Sequence, residues 1–423
     1  MLRRAFLILL AAPLAACAGQ FYGTGGPGAT PGYPGPGQLA PPLLVAALLP
    51  LSGRDSQLGQ GMLQAVQLAL AAPGSPALDV EDTGDTPQGA ASAARAALAK
   101  GAGLFIGPLT ASETAAVAPI AQAANVPVLA LTSDVTQARP GIWTLGLTPA
   151  QQVRTLVQAA QAEGKARVAA VLPQGPFGDA LASGLTAATT ESGLPPPIVR
   201  RYVPGSTRAV TQALKDVSDY AARHPAAPPS APAATETPPG QPAPDQPAPD
   251  VQATDTPPAE PAAPPPPLPF DALFLGAGGP DLAPAAAQLA PDDIVPGQVR
   301  VLGPATWERD AARVTALTGA WYAAPDPAAR KPFEAAFTAR YGAPPRSLTS
   351  IAYDAAGLAR AASGPGRFDP ASLLRPDGFA GADGVFALLP DGRVRRGLAI
   401  FEIQPNGPRL VQPAPQSLAP PGV

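Results

Sequence analysis

Between residues 45 and 131, short apolar runs alternate with longer segments whose apolar residues recur at helical spacing, and this order limits the possible folds. Val45–Leu51 is a compact apolar run of the kind found in a parallel strand buried on both faces. Gly59–Ala72 follows, with Met62, Val66 and Ala69 on one helical face. Strand Leu78–Val80, helix Pro87–Ala99, strand Leu104–Ile106, helix Ala111–Ala124 and strand Val126–Leu131 continue the series. Parallel strands joined by helices require right-handed crossovers, so helices cover both faces of the sheet.

The alternation restarts after Thr148-Pro149 with helix Ala150–Glu163, strand Val168–Leu172, helix Asp179–Ser192, strand Ile198–Tyr202 and helix Thr207–Arg223. Strand Ala272–Leu275, helix Asp281–Leu289 and strand Val299–Leu302 come later. The fold expected is α/β, with two doubly wound parallel-sheet lobes in series. Helices Pro332–Tyr341 and Ile351–Ala362 precede a hairpin of Gly384–Leu389 and Val394–Ile403 around Pro390-Asp-Gly392.

Composition marks what lies outside these lobes. Sixty prolines and 43 glycines make up about a quarter of the 423 residues. Many fall in two stretches that cannot bury a core. Residues 18–42 read as a flexible Gly/Pro tether, and residues 225–269 as a disordered Pro/Ala-rich insertion containing two Pro-Ala-Pro-Asp repeats. The cost of closing a loop grows only logarithmically with its length, so a surface loop tolerates such an insertion. Residues 413–423 read as a frayed tail.

Charge and rare residues exclude several classes of function. The formal net charge of −3 and four scattered lysines, Lys100, Lys165, Lys215 and Lys331, argue against nucleic-acid binding. One histidine, His224, and one cysteine, Cys17, leave no means of building a His-based metal site or a nucleophile–base pair. No enzyme activity, metal or cofactor is expected. Gly276–Pro280 is similar to a dinucleotide-binding loop but lacks its last glycine and reads as a turn. Glu81–Asp85 lacks the ligand series of a calcium loop and reads as a solvated turn.

The single cysteine sits after an export-type segment. Arg3 and Arg4 precede a short apolar stretch, Ala5–Ala12, too short to span a bilayer. Leu14-Ala-Ala-Cys17 resembles a bacterial lipobox, which implies a signal peptide over residues 1–17 and a lipid on Cys17. Ala18 after the cysteine implies sorting to the outer membrane, facing the periplasm.

In parallel sheets ligands sit beyond the carboxyl ends of the strands, and the polar loops of this chain fall there. Ser52 follows the first strand, Thr110 and Ser112 the third, and Thr132 and Ser133 the fourth. These hydroxyls either line one crevice or cap their own helices. Phe177, after a strand of the second lobe, either stacks over a ligand or packs the closed form.

Residues 45–53 with Leu58–Leu63 resemble the opening of type I periplasmic-binding-fold proteins of the leucine/isoleucine/valine-binding kind. Leu78–Gly84, Phe105–Leu109, Ala124–Ala130, Leu145–Pro149, Ala352–Leu358 and Asp391–Arg396 are, in their order, most similar to the penicillin-binding-protein activator lipoproteins. The resemblance implies a cleft between lobes joined by three crossings, near Leu147, Ala320 and Gly381. It places residues 43–147 and 325–380 in the first lobe, and 148–320 and 384–405 in the second. In amino-acid-binding relatives, residues matched here by Thr110, Ser112, Thr132, Ser133 and Phe177 hold the ligand. Their acidic partner for the ligand ammonium has no match in Gly303–Trp307. The activator family usually carries a further N-terminal helical-repeat domain, which this sequence does not show. The function expected is a non-enzymatic lipoprotein that regulates peptidoglycan synthesis through a penicillin-binding protein. The alternative is a receptor of an ABC transporter for amino acids or other small molecules.

Overall fold

Leu44–Leu49 (β1) is the apolar run that anchors the first sheet, and Val45 to Leu49 are all sealed from solvent in the computed structural model. The structure describes residues 43–225, 265–364 and 368–419. Cys17, the tether and most of the Pro/Ala-rich insertion therefore lie outside the described residues. Helix α1 (Ser56–Ala69), β2 (Ala77–Asp82), α2 (Pro87–Ala99), β3 (Leu104–Ile106), α3 (Ala111–Ala123), β4 (Val128–Ala130) and β5 (Ile142–Thr144) follow. The sheet runs β2-β1-β3-β4-β5 and is parallel throughout, with Ala47 of β1 paired to Val80 on one side and Ile106 on the other. One face is covered by α1. The other is covered by α2 and α3, where the buried stripe of α2 is Ala90, Ala93, Ala94 and Ala97. Side chains this small let helix and sheet approach closely.

Helix α4 (Pro149–Ala162) opens a second unit of the same kind. It continues through β6 (Val168–Pro173), α5 (Pro176–Glu191), β7 (Ile198–Tyr202), α6 (Thr207–Val217) and α7 (Tyr220–Arg223). Past the insertion come β8 (Ala272–Leu275), α8 (Leu282–Leu289), β9 (Arg300–Gly303), α9 (Trp307–Asp310) and β10 (Trp321–Ala324). The chain then goes back to the first core through α10 (Pro327–Tyr341) and α11 (Thr349–Ala362), which bury Phe333, Phe337 and Ile351 beside Met62. Short α12 (Pro370–Leu373) precedes β11 (Phe379–Gly381), β12 (Gly384–Leu388) and β13 (Val394–Arg396), a separate antiparallel sheet. Finally β14 (Ala399–Glu402) and β15 (Arg409–Gln412) complete the second sheet, ordered β15-β14-β10-β9-β8-β6-β7. Its two faces pack on α4 with α5 and on α6 with α8.

Two crossings differ from the sequence reading. Strand β10 pairs with β9 and β14, so the second crossing lies after Ala324 rather than near Ala320. Only the first part of the expected hairpin forms: Val394–Arg396 pairs with Phe386–Leu388, whereas Ala399–Glu402 joins the second sheet beside β10. Phe386, Leu388 and Val394 pack in the first core. Trp143 Nε1 donates to the Leu389 carbonyl at 2.7 Å and helps hold that hairpin there. The third crossing is therefore Gly397-Leu398, not Gly381, and residues 384–396 do not belong to the second lobe. Alternation marks a half-buried strand but not the sheet or core it joins.

The tail is also ordered further than expected. After β15, Ala414 is buried, Pro415 packs against Gly397, and the Leu418 N–H donates to the Asp377 carbonyl at 3.3 Å. The segment runs from the second sheet across the third crossing to the first lobe. At the insertion, Pro265 to Pro269 are described, and Arg223 Nε donates to the Pro266 carbonyl at 2.8 Å, so the packed chain resumes before residue 269. Truncation after Gln412 should destabilise the fold by roughly 1–2 kcal/mol, from one hydrogen bond and modest apolar burial. That loss reads as a melting temperature lower by a few degrees. An unchanged melting temperature would show that the tail holds nothing.

Candidate functional site

The chain leaves the first sheet from the carboxyl end of β5 and the second from the carboxyl end of β10. The carboxyl edges of both sheets therefore border the junction of the lobes, where a ligand-binding crevice forms in open parallel sheets. Strands β1, β3 and β4 are neighbours in the first sheet, so the loops carrying Ser52, Thr110 with Ser112, and Thr132 with Ser133 lie side by side. The Leu131 N–H donates to the Pro108 carbonyl at 2.9 Å and joins the last two loops.

Several of these hydroxyls already have local work. Thr110 caps α3: its Oγ1 accepts from the Glu113 N–H at 3.3 Å, and the Glu113 carboxylate accepts from the Thr110 N–H at 3.0 Å. This reciprocal pair is a capping box. Ser112 is exposed, its Oγ 3.3 Å from that of Thr110. Thr132 is buried, and its Oγ1 accepts from the Asp134 N–H at 3.1 Å. Ser133 is exposed and has no side-chain hydrogen bond among the described residues. The chain at Gly146 passes so close that a Cβ there would sit 2.6 Å from the Ser133 nitrogen, which sets Ser133 beside the first crossing.

Ser52 is held by a residue the sequence reading passed over. Asp82, at the end of β2, accepts from the N–H groups of Leu51 at 2.8 Å, Ser52 at 3.2 Å and Gly84 at 2.8 Å. Burial alone would raise its pKa, but the Ser52 hydroxyl and these N–H groups together hold it below the usual carboxylate range. The Glu81–Asp85 turn is thus a brace for the Ser52 loop rather than a purely solvated turn. Its sequence signal is an aspartate ending a strand two residues before a glycine.

Across the junction, Phe177 stands 43% exposed at the start of α5, and Val203 is 52% exposed after the neighbouring strand β7. The second lobe therefore offers an apolar edge opposite the hydroxyl edge. Two of its carboxylates are engaged. Asp281 is buried and accepts from the Gly205 N–H at 3.0 Å, while burial and Asp281 push the Tyr202 phenol up. Asp179 pairs with Arg201 at 2.6 Å. In the Gly303–Trp307 loop the Trp307 ring fills the space against Gly303, and its Nε1 donates to the Ala277 carbonyl at 2.8 Å. Gly276–Pro280 forms a turn into α8. Among the described residues no group of three or more His, Cys, Asp or Glu side chains is placed to hold a metal ion, and no helix is long and apolar enough to cross a membrane.

A cluster at the crossings joins two residues to which the sequence reading assigns no individual role, although each lies in a segment that carries the family resemblance. Asp354 of α11 and Arg396 of β13 form an ion pair at 3.0 Å, with side chains 0% and 2% exposed. Arg396 also donates to the Leu145 carbonyl at 3.3 Å, at the first crossing, and Asp354 accepts from the Ala382 N–H. Gly381 is required, since a Cβ there would lie 2.6 Å from the Asp354 carboxyl carbon. Beside the pair, Asp383 binds Arg330 of α10 and the Ser350 hydroxyl, the latter at 2.7 Å. Gln151, in the first turn of α4, donates to the Val394 carbonyl at 2.7 Å. Burial pushes Asp354 up to about 6, against the opposing pull of Arg396.

This two-lobed architecture has known counterparts, and residues 42–408 match the periplasmic binding protein family. The chain belongs to that family. Within it, the chain is similar in structure to a Rhodospirillum rubrum protein assigned to branched-chain amino acid ABC transport, at a TM-score of 0.64 and 19% identity over 88% of this chain and 100% of that one. Full-length LpoA from Haemophilus influenzae gives a TM-score of 0.63 and 16% identity over 89% of this chain, which spans 60% of the LpoA chain. The C-domain of LpoA, described as a regulator of PBP1A, gives 0.59 and 16% over 87% of this chain and 99% of that domain. At these identities the likeness is one of fold. No curated protein matches the chain in sequence.

Removing one member of a buried ion pair leaves the other charge uncompensated. Asp354→Ala should therefore cost about 3–5 kcal/mol in denaturant unfolding. Asp354→Leu combined with Arg396→Met should recover most of that loss, and a double variant as unstable as the single one would exclude the pair as the cause. Because the folded-state pKa lies above the unfolded value, the native state keeps its proton longer. The stability of the native chain relative to Asp354→Asn should thus fall as pH rises from about 4 through about 6. A difference constant across that window would rule this out.

Proposed function

We propose that this chain is a non-enzymatic, periplasm-facing lipoprotein, anchored in the outer membrane through Cys17, that regulates peptidoglycan synthesis by docking a penicillin-binding protein. The observation that carries this reading is that two carboxylates on the second-lobe loops bordering the hydroxyl edge are already engaged, and that the Gly303–Trp307 loop offers none before Glu308. Asp281 is spent on Gly205, and Asp179 on Arg201. A bound amino acid would bring an ammonium group with no partner, at a cost of several kcal/mol. A regulator needs no such partner. The fold shared with the LpoA C-domain supports the same reading.

The direct test adds the full chain to a purified bifunctional penicillin-binding protein and follows glycan polymerisation and cross-linking. A rise of several fold in either rate is expected, and no change in rate with no detectable complex would reject the regulator. The receptor reading is favoured by one feature, the unengaged Ser133 beside the first crossing. A ligand bound at a hundredfold excess over its Kd stabilises the native state by about 2.7 kcal/mol. We expect no thermal shift with leucine or other free amino acids. A leucine shift that Ser133→Ala removes would make the chain a transport receptor instead.

A further inference from the structure

A cavity of about 500 Å³ lies away from the hydroxyl edge, between α4, the third crossing and the C-terminal segment. None of Ser52, Thr110, Ser112, Thr132, Ser133 and Phe177 lines it. Three arginines do, and two are neutralised: Arg396 by Asp354 at 3.0 Å and Arg154 by Glu191 at 2.6 Å. Arg395 is different. It alternates with the inward-facing Val394 and Arg396 along β13, so its side chain is on the opposite face. Its Nε is sealed from solvent and has no hydrogen-bond partner, and no carboxylate pairs with it among the described residues. An unmade bond from a charged donor is among the costlier defects a folded protein carries, and an acceptor in the cavity would relieve it.

The rest of the lining is mixed, with Ala159, Leu398 and Pro415 as apolar walls beside Thr155, Gln158 and Ser417. The volume falls within the range of small-molecule sites. We propose that this cavity binds a small organic monocarboxylate, its carboxylate on the Arg395 guanidinium and its apolar body against the helix and tail. One unneutralised guanidinium suits a single negative charge, and the planar fork of arginine suits a carboxylate. The walls come from both lobes and from the tail that bridges them. Occupancy therefore favours the lobe arrangement seen here, in proportion to its differential affinity for that arrangement.

The experiment is calorimetric titration of the full chain with sodium hexanoate at constant ionic strength, with uncharged hexanamide as control. Saturable hexanoate binding is expected, at least tenfold tighter than hexanamide. It should weaken at least tenfold in Arg395→Gln and be unchanged in Ser133→Ala. Thr155→Phe, which fills the cavity from the surface of α4, should also abolish it, and its circular dichroism spectrum should match that of the unsubstituted chain. That variant keeps the test decisive if Arg395→Gln does not fold. Absence of saturable binding, equal affinity for hexanamide, or binding lost with Ser133→Ala would overturn the proposal.

Discussion

The buried pair of Asp354 and Arg396 sits where the first and third crossings leave the first lobe. Sealing two opposite charges from water is expensive, and the pair repays that cost only through good geometry and further hydrogen bonds. Here the further bonds go to the Leu145 carbonyl and the Ala382 N–H, so the pair draws together α11, the first crossing and the turn between β11 and β12. An apolar contact in the same place would allow sliding. A charge pair with fixed partners restricts it, which suits a joint between rigid bodies.

The cleft makes sense in the light of that joint. Its first-lobe edge is rich in hydroxyls, but Thr110 and Thr132 serve their own loops, and Ser52 is tied to Asp82. The edge opposite carries Phe177 and Val203 and engaged carboxylates. Such a surface is well braced and only partly available to a ligand. The periplasmic binding protein fold is kept, with much of the hydroxyl edge committed to its own loops.

The layered architecture was legible because buried parallel strands are unbroken apolar runs and helices repeat at another period. What escaped that reading has local causes. Strand β5 is three residues long, β10 abuts a crossing, and β15 is exposed along its length and so carries no burial signal. The hydroxyls could be placed on one sheet edge from the order of elements alone. Whether each was spent on its own backbone could not, apart from the Thr110–Glu113 spacing, which is that of a capping box. The Asp354–Arg396 pair spans 42 residues, a separation with no motif of its own; its traces are an aspartate inside the apolar helix Ile351–Ala359 and the place of both residues in segments that carry the resemblance.

The hydrogen bond from Arg223 to the Pro266 carbonyl has a consequence for how this chain can change. It fastens the two ends of the Pro/Ala-rich stretch to each other at the edge of the second lobe. Whatever lies between them must only leave and return at one spot, and the cost of closing such an excursion depends weakly on its length. The position is therefore a natural port of exchange. A reporter domain with adjacent termini, spliced between His224 and Pro265, would sit on the protein as a passenger, leaving both sheets and the joint between them untouched.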